Sequence, residues 1–192
     1  PSLLVGNDVY AVNSPNDIDI YIATNSGITI FNRLTERYKK FPTPKWFDEQ
    51  NSLFEIKCIY VDRYKKIWIG TGTGLFTLNP ETGAFHSFLH DQKDPQSISD
   101  NAINKIIEDS YGKLWVATFN GLNVTSDYST NKVIFQQFKT VNIDSISNTI
   151  ASNRIIALKQ VEDLLFIGTT SGLMSYHLVT NKFSNYSKSK NR

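Results

Sequence analysis

One segment occurs four times in this chain, and no other feature limits the fold as tightly. The copies are Tyr21–Ile28 (YIATNSGI), Trp68–Leu75 (WIGTGTGL), Trp115–Leu122 (WVATFNGL) and Phe166–Leu173 (FIGTTSGL). An aromatic residue stands six positions before the last glycine in each, and those glycines lie 47, 47 and 51 residues apart. Upstream, an apolar pair recurs at Val9/Val12, Ile56/Ile59, Ile103/Ile106 and Ile155/Leu158, 12, 12, 12 and 11 residues before the aromatic. Downstream, two aromatics spaced by three recur at Tyr38/Phe41, Phe85/Phe88, Phe135/Phe138 and Phe183/Tyr186, 11, 11, 14 and 11 residues after the glycine. The longer third interval is a longer turn, Ser126 to Val133.

Each unit reads as four short strands, A to D. In the third copy, strand A spans Ile103 to Glu108, B Leu114 to Thr118, C Leu122 to Thr125 and D Phe135 to Phe138. Asp109-Ser110-Tyr111-Gly112 and Phe119-Asn120-Gly121 supply the turn chemistry between them. In the second copy, Asn79-Pro80-Glu81-Thr82-Gly83 punctuates C and D. Strand B is apolar at nearly every position, which predicts cover on both faces. Side chains alternate along a strand, so the two aromatics of strand D point to opposite faces. No sustained helical stripe is present. The expectation is an all-β chain of four β-propeller blades, a partial propeller, divided near 1–46, 47–95, 96–145 and 146–192.

Composition removes several functional classes. The net charge is +2, and basic residues cluster only in the tail, Lys188 to Arg192, so no nucleic-acid groove is expected. The single cysteine, Cys58, sits in an apolar run and reads as a buried small hydrophobe. No run approaches the length of a membrane span, and no signal peptide is visible. Met174 is the sole methionine and the chain starts at Pro1, so it reads as a mature form or a piece of a longer protein. His86, His90 and His177 are far apart, and no metal-ligand spacing, cofactor motif or nucleophile–base arrangement is evident.

Gly112-Lys113-Leu114-Trp115-Val116-Ala117-Thr118-Phe119-Asn120-Gly121-Leu122-Asn123 and Lys66 to Leu75 resemble the two-component regulator propeller repeat. Ser97 to Ile103 and Ser145 to Ile150 are similar to that family's inter-blade linker. The first and fourth copies depart from the pattern, with Tyr21 and Phe166 in place of tryptophan. The resemblance implies a non-catalytic fragment of the periplasmic sensor region of a hybrid two-component histidine kinase. Such receptors detect breakdown products of a polysaccharide and regulate transcription. It implies an oligosaccharide ligand, and as partners the remaining blades of a parent receptor or a second copy in a homodimer. No contact with nucleic acid or membrane is implied for the fragment itself. A purely structural or dimerising segment is the alternative, and a propeller lyase or glycoside-cleaving enzyme a third.

Recurrence places Trp68, Trp115, Tyr21 and Phe166 in an inter-blade core. Threonine is fixed in the B–C turn (Thr24, Thr71, Thr118, Thr169) and so is the final glycine, expected at positive φ. The two positions between them vary. By analogy with the fold, B–C turns and D–A linkers share the ligand face. Asn25, Trp46, Asn101, Phe119, Asn120 and Arg154 are therefore the candidate recognition residues. First and last blades are expected to expose apolar faces.

Overall fold

A computed structural model describes residues 3–42, 56–139, 150 and 152–186. It contains sixteen strands and, among the described residues, no helix. The first sheet comprises β1 (Val9–Asn13), β2 (Asp19–Thr24), β3 (Gly27–Asn32) and β4 (Arg37–Pro42). The second holds β5 (Ile56–Val61), β6 (Ile67–Thr71), β7 (Leu75–Leu78) and β8 (Phe85–Phe88). The third holds β9 (Ile103–Glu108), β10 (Leu114–Thr118), β11 (Gly121–Thr125) and β12 (Gln136–Phe138). The fourth holds β13 (Ile155–Val161), β14 (Leu164–Thr169), β15 (Gly172–His177) and β16 (Lys182–Asn185). Every sheet is an antiparallel meander in sequence order, the form of a propeller blade. The predicted strands of the third copy agree with the observed ones to within one residue.

The chain forms two compact units, residues 1–88 and 89–192, each with two blades. In the first unit, Tyr21, Ala23, Ile28 and Phe41 of one blade pack on Ile59, Ile69, Phe76 and Leu78 of the next. In the second, Trp115, Ala117, Leu122 and Val124 pack on Leu158, Leu165, Ile167, Met174 and Phe183. Burying such side chains stabilises by about 1.5–3 kcal/mol each, which is why a sheet that is marginal alone persists beside a neighbour.

The predicted split of the D-strand aromatics holds in the second unit. Phe138 packs against this core, and Phe183 belongs to it. Tyr186 lies near Phe166, with ring centroids 6.2 Å apart.

Two expectations need correction. All residues of β6 and β10 are buried, but β14 alternates between buried and half-buried. Within its unit, the fourth blade has a neighbour on one face only. Phe166 is accordingly half-exposed and not a core residue, while Tyr21, Trp68 and Trp115 are buried. Exposed apolar side chains gather on β1 (Val9, Val12) and on the fourth blade (Ile156, Leu173, Tyr186).

The second correction concerns the B–C glycine. Gly27, Gly121 and Gly172 adopt φ of 141°, 137° and 128°, but Gly74 is not at positive φ. In that turn both Gly74 N and Thr73 N donate to Thr71 Oγ1 (3.0 and 3.1 Å), and β7 starts one residue later, at Leu75. The extra bond to the threonine closes the turn without the left-handed step.

Candidate functional site

The B–C turns are built by their fixed threonine. Its Oγ1 donates to the carbonyl of the final glycine at 3.0, 2.9, 2.8 and 3.0 Å in the four blades. The same oxygen accepts the N–H of the residue two positions on, in Ser26, Thr73, Asn120 and Ser171. Local side-chain bonds of this kind hold a turn while leaving the intervening side chains unconstrained. The first variable residue then ties to the segment preceding strand A. Asn25 N donates to Asp8 O (3.1 Å), Phe119 N to Ala102 O (3.0 Å) and Thr170 N to Arg154 O (3.3 Å). The turn and the linker therefore do meet, within each of these blades.

A β-bulge recurs at the same place in every strand A and was not read from the sequence. The register shifts between Val9 and Ala11, between Ile56 and Cys58, opposite Ala117 and Thr118, and between Ile155 and Ala157. Bulges at strand ends bend the strand and re-aim its side chains. In β9 the extra residue is Asn104, whose Nδ2 donates to Ile155 O at 2.6 Å.

In the second unit the linker is anchored by a buried polar network. Asn123 Oδ1 accepts from Ser99 N (2.9 Å), and its Nδ2 donates to Ser99 Oγ (2.9 Å) and Val116 O (3.1 Å). Ser99 Oγ lies 3.0 Å from Thr118 Oγ1. All three side chains are fully buried and satisfied, so this network fixes the linker rigidly. The signal was present in Ser-Ile-Ser and in the asparagine following Gly-Leu, but their contact spans 24 residues.

Three of the candidate residues come together here. The Arg154 guanidinium carbon lies 4.3 Å from the centroid of the Phe119 ring, a cation–π contact. Phe119, Asn120 and Arg154 are all exposed. Gly121 N donates to Asn153 O (2.8 Å), joining this turn to the linker of the next blade. Ser152 Oγ and Thr170 Oγ1, 3.0 Å apart, continue the surface. The result is a shelf of aromatic face, guanidinium, amide and hydroxyls. It can stack on the C–H face of a hydroxylated ring, and it can pair a carboxylate bidentately.

The other candidates stand apart from the shelf. Asn25 is exposed in the first unit, where its Nδ2 donates to Asp8 Oδ2 (3.3 Å). Asn101 is half-buried and its Oδ1 accepts His90 N (2.7 Å), so it braces the linker. Trp46 lies outside the described residues. His90 Nδ1 faces Ile98 O at 2.7 Å, and His86 meets the edge of Phe88. Among the described residues, no group of His, Cys, Asp and Glu is arranged to hold a metal.

At the opposite, A–B, end of the blades, carboxylates organise two turns. Asp109 Oδ1 accepts Tyr111 N and Lys113 N, and Oδ2 accepts Trp115 Nε1 at 2.7 Å. Asp62 does the same for Tyr64, Lys66 and Trp68. Burial pushes the Asp62 carboxyl above its ordinary value, against the pull of the Trp68, Lys66 and Tyr64 N–H groups.

The two-component regulator propeller model matches residues 51–73 and 97–120. The second match runs from linker through strands A and B to the B–C turn bearing Phe119 and Asn120. No curated protein matches the sequence. Among solved structures, the fold is similar to an extracellular domain ascribed to a hybrid two component system of B. thetaiotaomicron. Identity is 22%, TM-score 0.70, over 94% of this chain and 25% of that one. An extracellular domain ascribed to a one component system of the same organism gives 21% identity and TM-score 0.64, over 92% and 22%. Virginiamycin B lyase from Staphylococcus aureus gives 11% and 0.65, over 96% and 57%. The chain thus spans about a quarter of the length of the first two. These likenesses establish the propeller fold, and residues 51–73 and 97–120 match the two-component regulator propeller repeat.

Proposed function

We propose that this chain is a non-catalytic segment of an extracytoplasmic sensor propeller, part of a hybrid two-component receptor in the periplasm. Its B–C face recognises oligosaccharide breakdown products. The family match carries the reading, because its second segment includes the turn that presents Phe119 and Asn120, to which the next linker adds Arg154. The neighbouring extracellular domains agree with it in fold. The shelf suits a hydroxylated ring, since it offers one aromatic face and several neutral donors and acceptors.

A lyase is also among the structural neighbours, which makes an enzyme the reading to test against. General acid–base chemistry needs a titratable group beside the reacting atoms. The shelf side chains are Phe119, Asn120, Ser152, Arg154 and Thr170. In the linker before the third blade, Asp100 has its Oδ1 on Ala102 N at 2.7 Å. A structural segment that only positions or dimerises with other blades is the second alternative, favoured by the exposed apolar residues of the first and fourth blades.

Calorimetric titration of the chain against oligosaccharides from many polysaccharides tests the reading. One should bind, and Phe119→Ala together with Asn120→Ala should abolish the heat. Binding unchanged in that double variant would remove the shelf from recognition. Turnover of any of these sugars would overturn the non-catalytic assignment.

A further inference from the structure

The third blade is the one with an enlarged C–D turn, and that turn encloses a cavity at the end of the sheet opposite the Phe119–Arg154 shelf. The blade architecture does not need the extra length. The other three copies close in 11 residues from glycine to aromatic, against 14 here. Yet the turn is built with care. Tyr128 is 1% exposed, and its hydroxyl donates to Gly112 O in the A–B turn at 3.0 Å. Thr125 Oγ1 donates to Asp127 O (3.1 Å), and Phe135 N donates to Gln96 O (2.9 Å). Both ends and the middle of the turn are thus tied down, so the space beneath it is preformed.

That space has a volume of about 320 Å³, at the small end of ligand pockets. Lys113 and Lys132 stand on its walls with Thr125 and Gln136, and Val124 and Ile134 add apolar surface. Asp127 is the single carboxylate among the lining residues, and its Oδ1 already accepts from Ser129 Oγ at 3.1 Å. Neither lysine ammonium has a hydrogen-bond or ion-pair partner among the described residues. The lining therefore carries an excess of one positive charge, two uncommitted ammonium groups and an apolar wall.

We propose that this cavity is a binding site for a compact organic anion, a carboxylate carried on a hydroxylated frame about the size of one sugar ring. The ammonium groups would take the carboxylate, Gln136 and Thr125 the hydroxyls, and Val124 and Ile134 the C–H face. This site is independent of the shelf and stands whether or not the shelf binds a ligand.

The test is an amide chemical-shift titration of the full chain at fixed ionic strength with D-glucuronate, D-glucose and sodium sulfate. Glucuronate should shift the amides of residues 124–136 saturably, and glucose at equal concentration should not. Sulfate should compete with glucuronate, since the ammonium pair reads charge. Lys113→Gln with Lys132→Gln should weaken glucuronate about tenfold or more at unchanged melting temperature, while Lys105→Gln on β9 leaves it alone. The proposal fails if glucuronate shifts do not saturate, map elsewhere, are matched by glucose, are indifferent to sulfate, or survive the double lysine variant.

Discussion

The third and fourth blades solve the same A–B connection in different ways. In the third, five residues, 109–113, separate the paired Glu108 and Leu114. Asp109 gathers two backbone N–H groups and the Trp115 indole into one buried cap. In the fourth, β13 and β14 run on to a two-residue turn between Val161 and Leu164, with Glu162 at φ 52°. There Val161, an apolar residue, stands at the position of Asp109, and Phe166 at that of Trp115. Gln160 bonds sideways, accepting Ser110 N (2.9 Å) and donating to Ser110 Oγ (2.6 Å). An aspartate and a tryptophan together make a buried turn. In the fourth blade, which has neither, the hairpin tightens to two residues.

The largest consequence should appear in the aromatic itself. Trp115→Ala should cost about 3–5 kcal/mol in urea unfolding, and Phe166→Ala less, because Phe166 is only partly buried. Equal losses would break the comparison. Asp109→Ala should follow at about 1–3 kcal/mol, since it strands the buried indole N–H, whereas Gln160→Ala should fall within about 1 kcal/mol. The same chemistry at Asp62 should be visible in pH. Its folded-state value is raised, so it takes up a proton in the folded form before the unfolded one. Its contribution to stability therefore rises as pH falls through the raised value toward the ordinary 3.8. The stability of the wild type relative to Asp62→Asn should grow on acidification, and a gap that shrinks would refute the burial account.

A smaller contrast separates the B–C turns. Gly121 has φ 137°, and an added Cβ would sit 2.9 Å from Ser99 Oγ and 3.0 Å from Phe138 O. Gly121→Ala should cost about 1–3 kcal/mol, with Gly74→Ala costing less because no left-handed step is required there. Equal melting-temperature losses would show that the second turn also depends on glycine. Least of all, Phe119→Ala should change stability by under about 0.5 kcal/mol, because the ring is exposed, while affecting any ligand of the shelf.

The blades were legible because a four-fold repeat averages away local ambiguity. Strand limits, turn residues and the D-strand faces could be read from aligned positions such as Trp68 and Trp115. The fixed threonine was also legible, though its reason was not. Only coordinates show one hydroxyl closing each turn from inside. The candidate site was half legible. Variable positions pointed to Phe119 and Asn120, and the linker to Arg154, and these do converge. Asn101 looked similar on paper, but its amide is occupied by His90. The pairing of Asn123 with Ser99 is not legible in the sequence, because a polar residue between apolar ones gives no hint of a partner so far along the chain.

Local patterning dictates what each segment is: alternating or continuous apolar runs, turn residues at fixed offsets, small residues where strands crowd. Smallness at Gly168, for example, follows from an added Cβ meeting Ala157 Cβ at 3.2 Å. Two things needed tertiary structure. One is which blade faces are covered, since burial depends on neighbours and not on the buried residue, as Phe166 demonstrates. The other is what the turns enclose. The same Ser126 to Val133 insertion that reads as a mere spacer becomes the wall of a cavity once Tyr128 is folded beneath it.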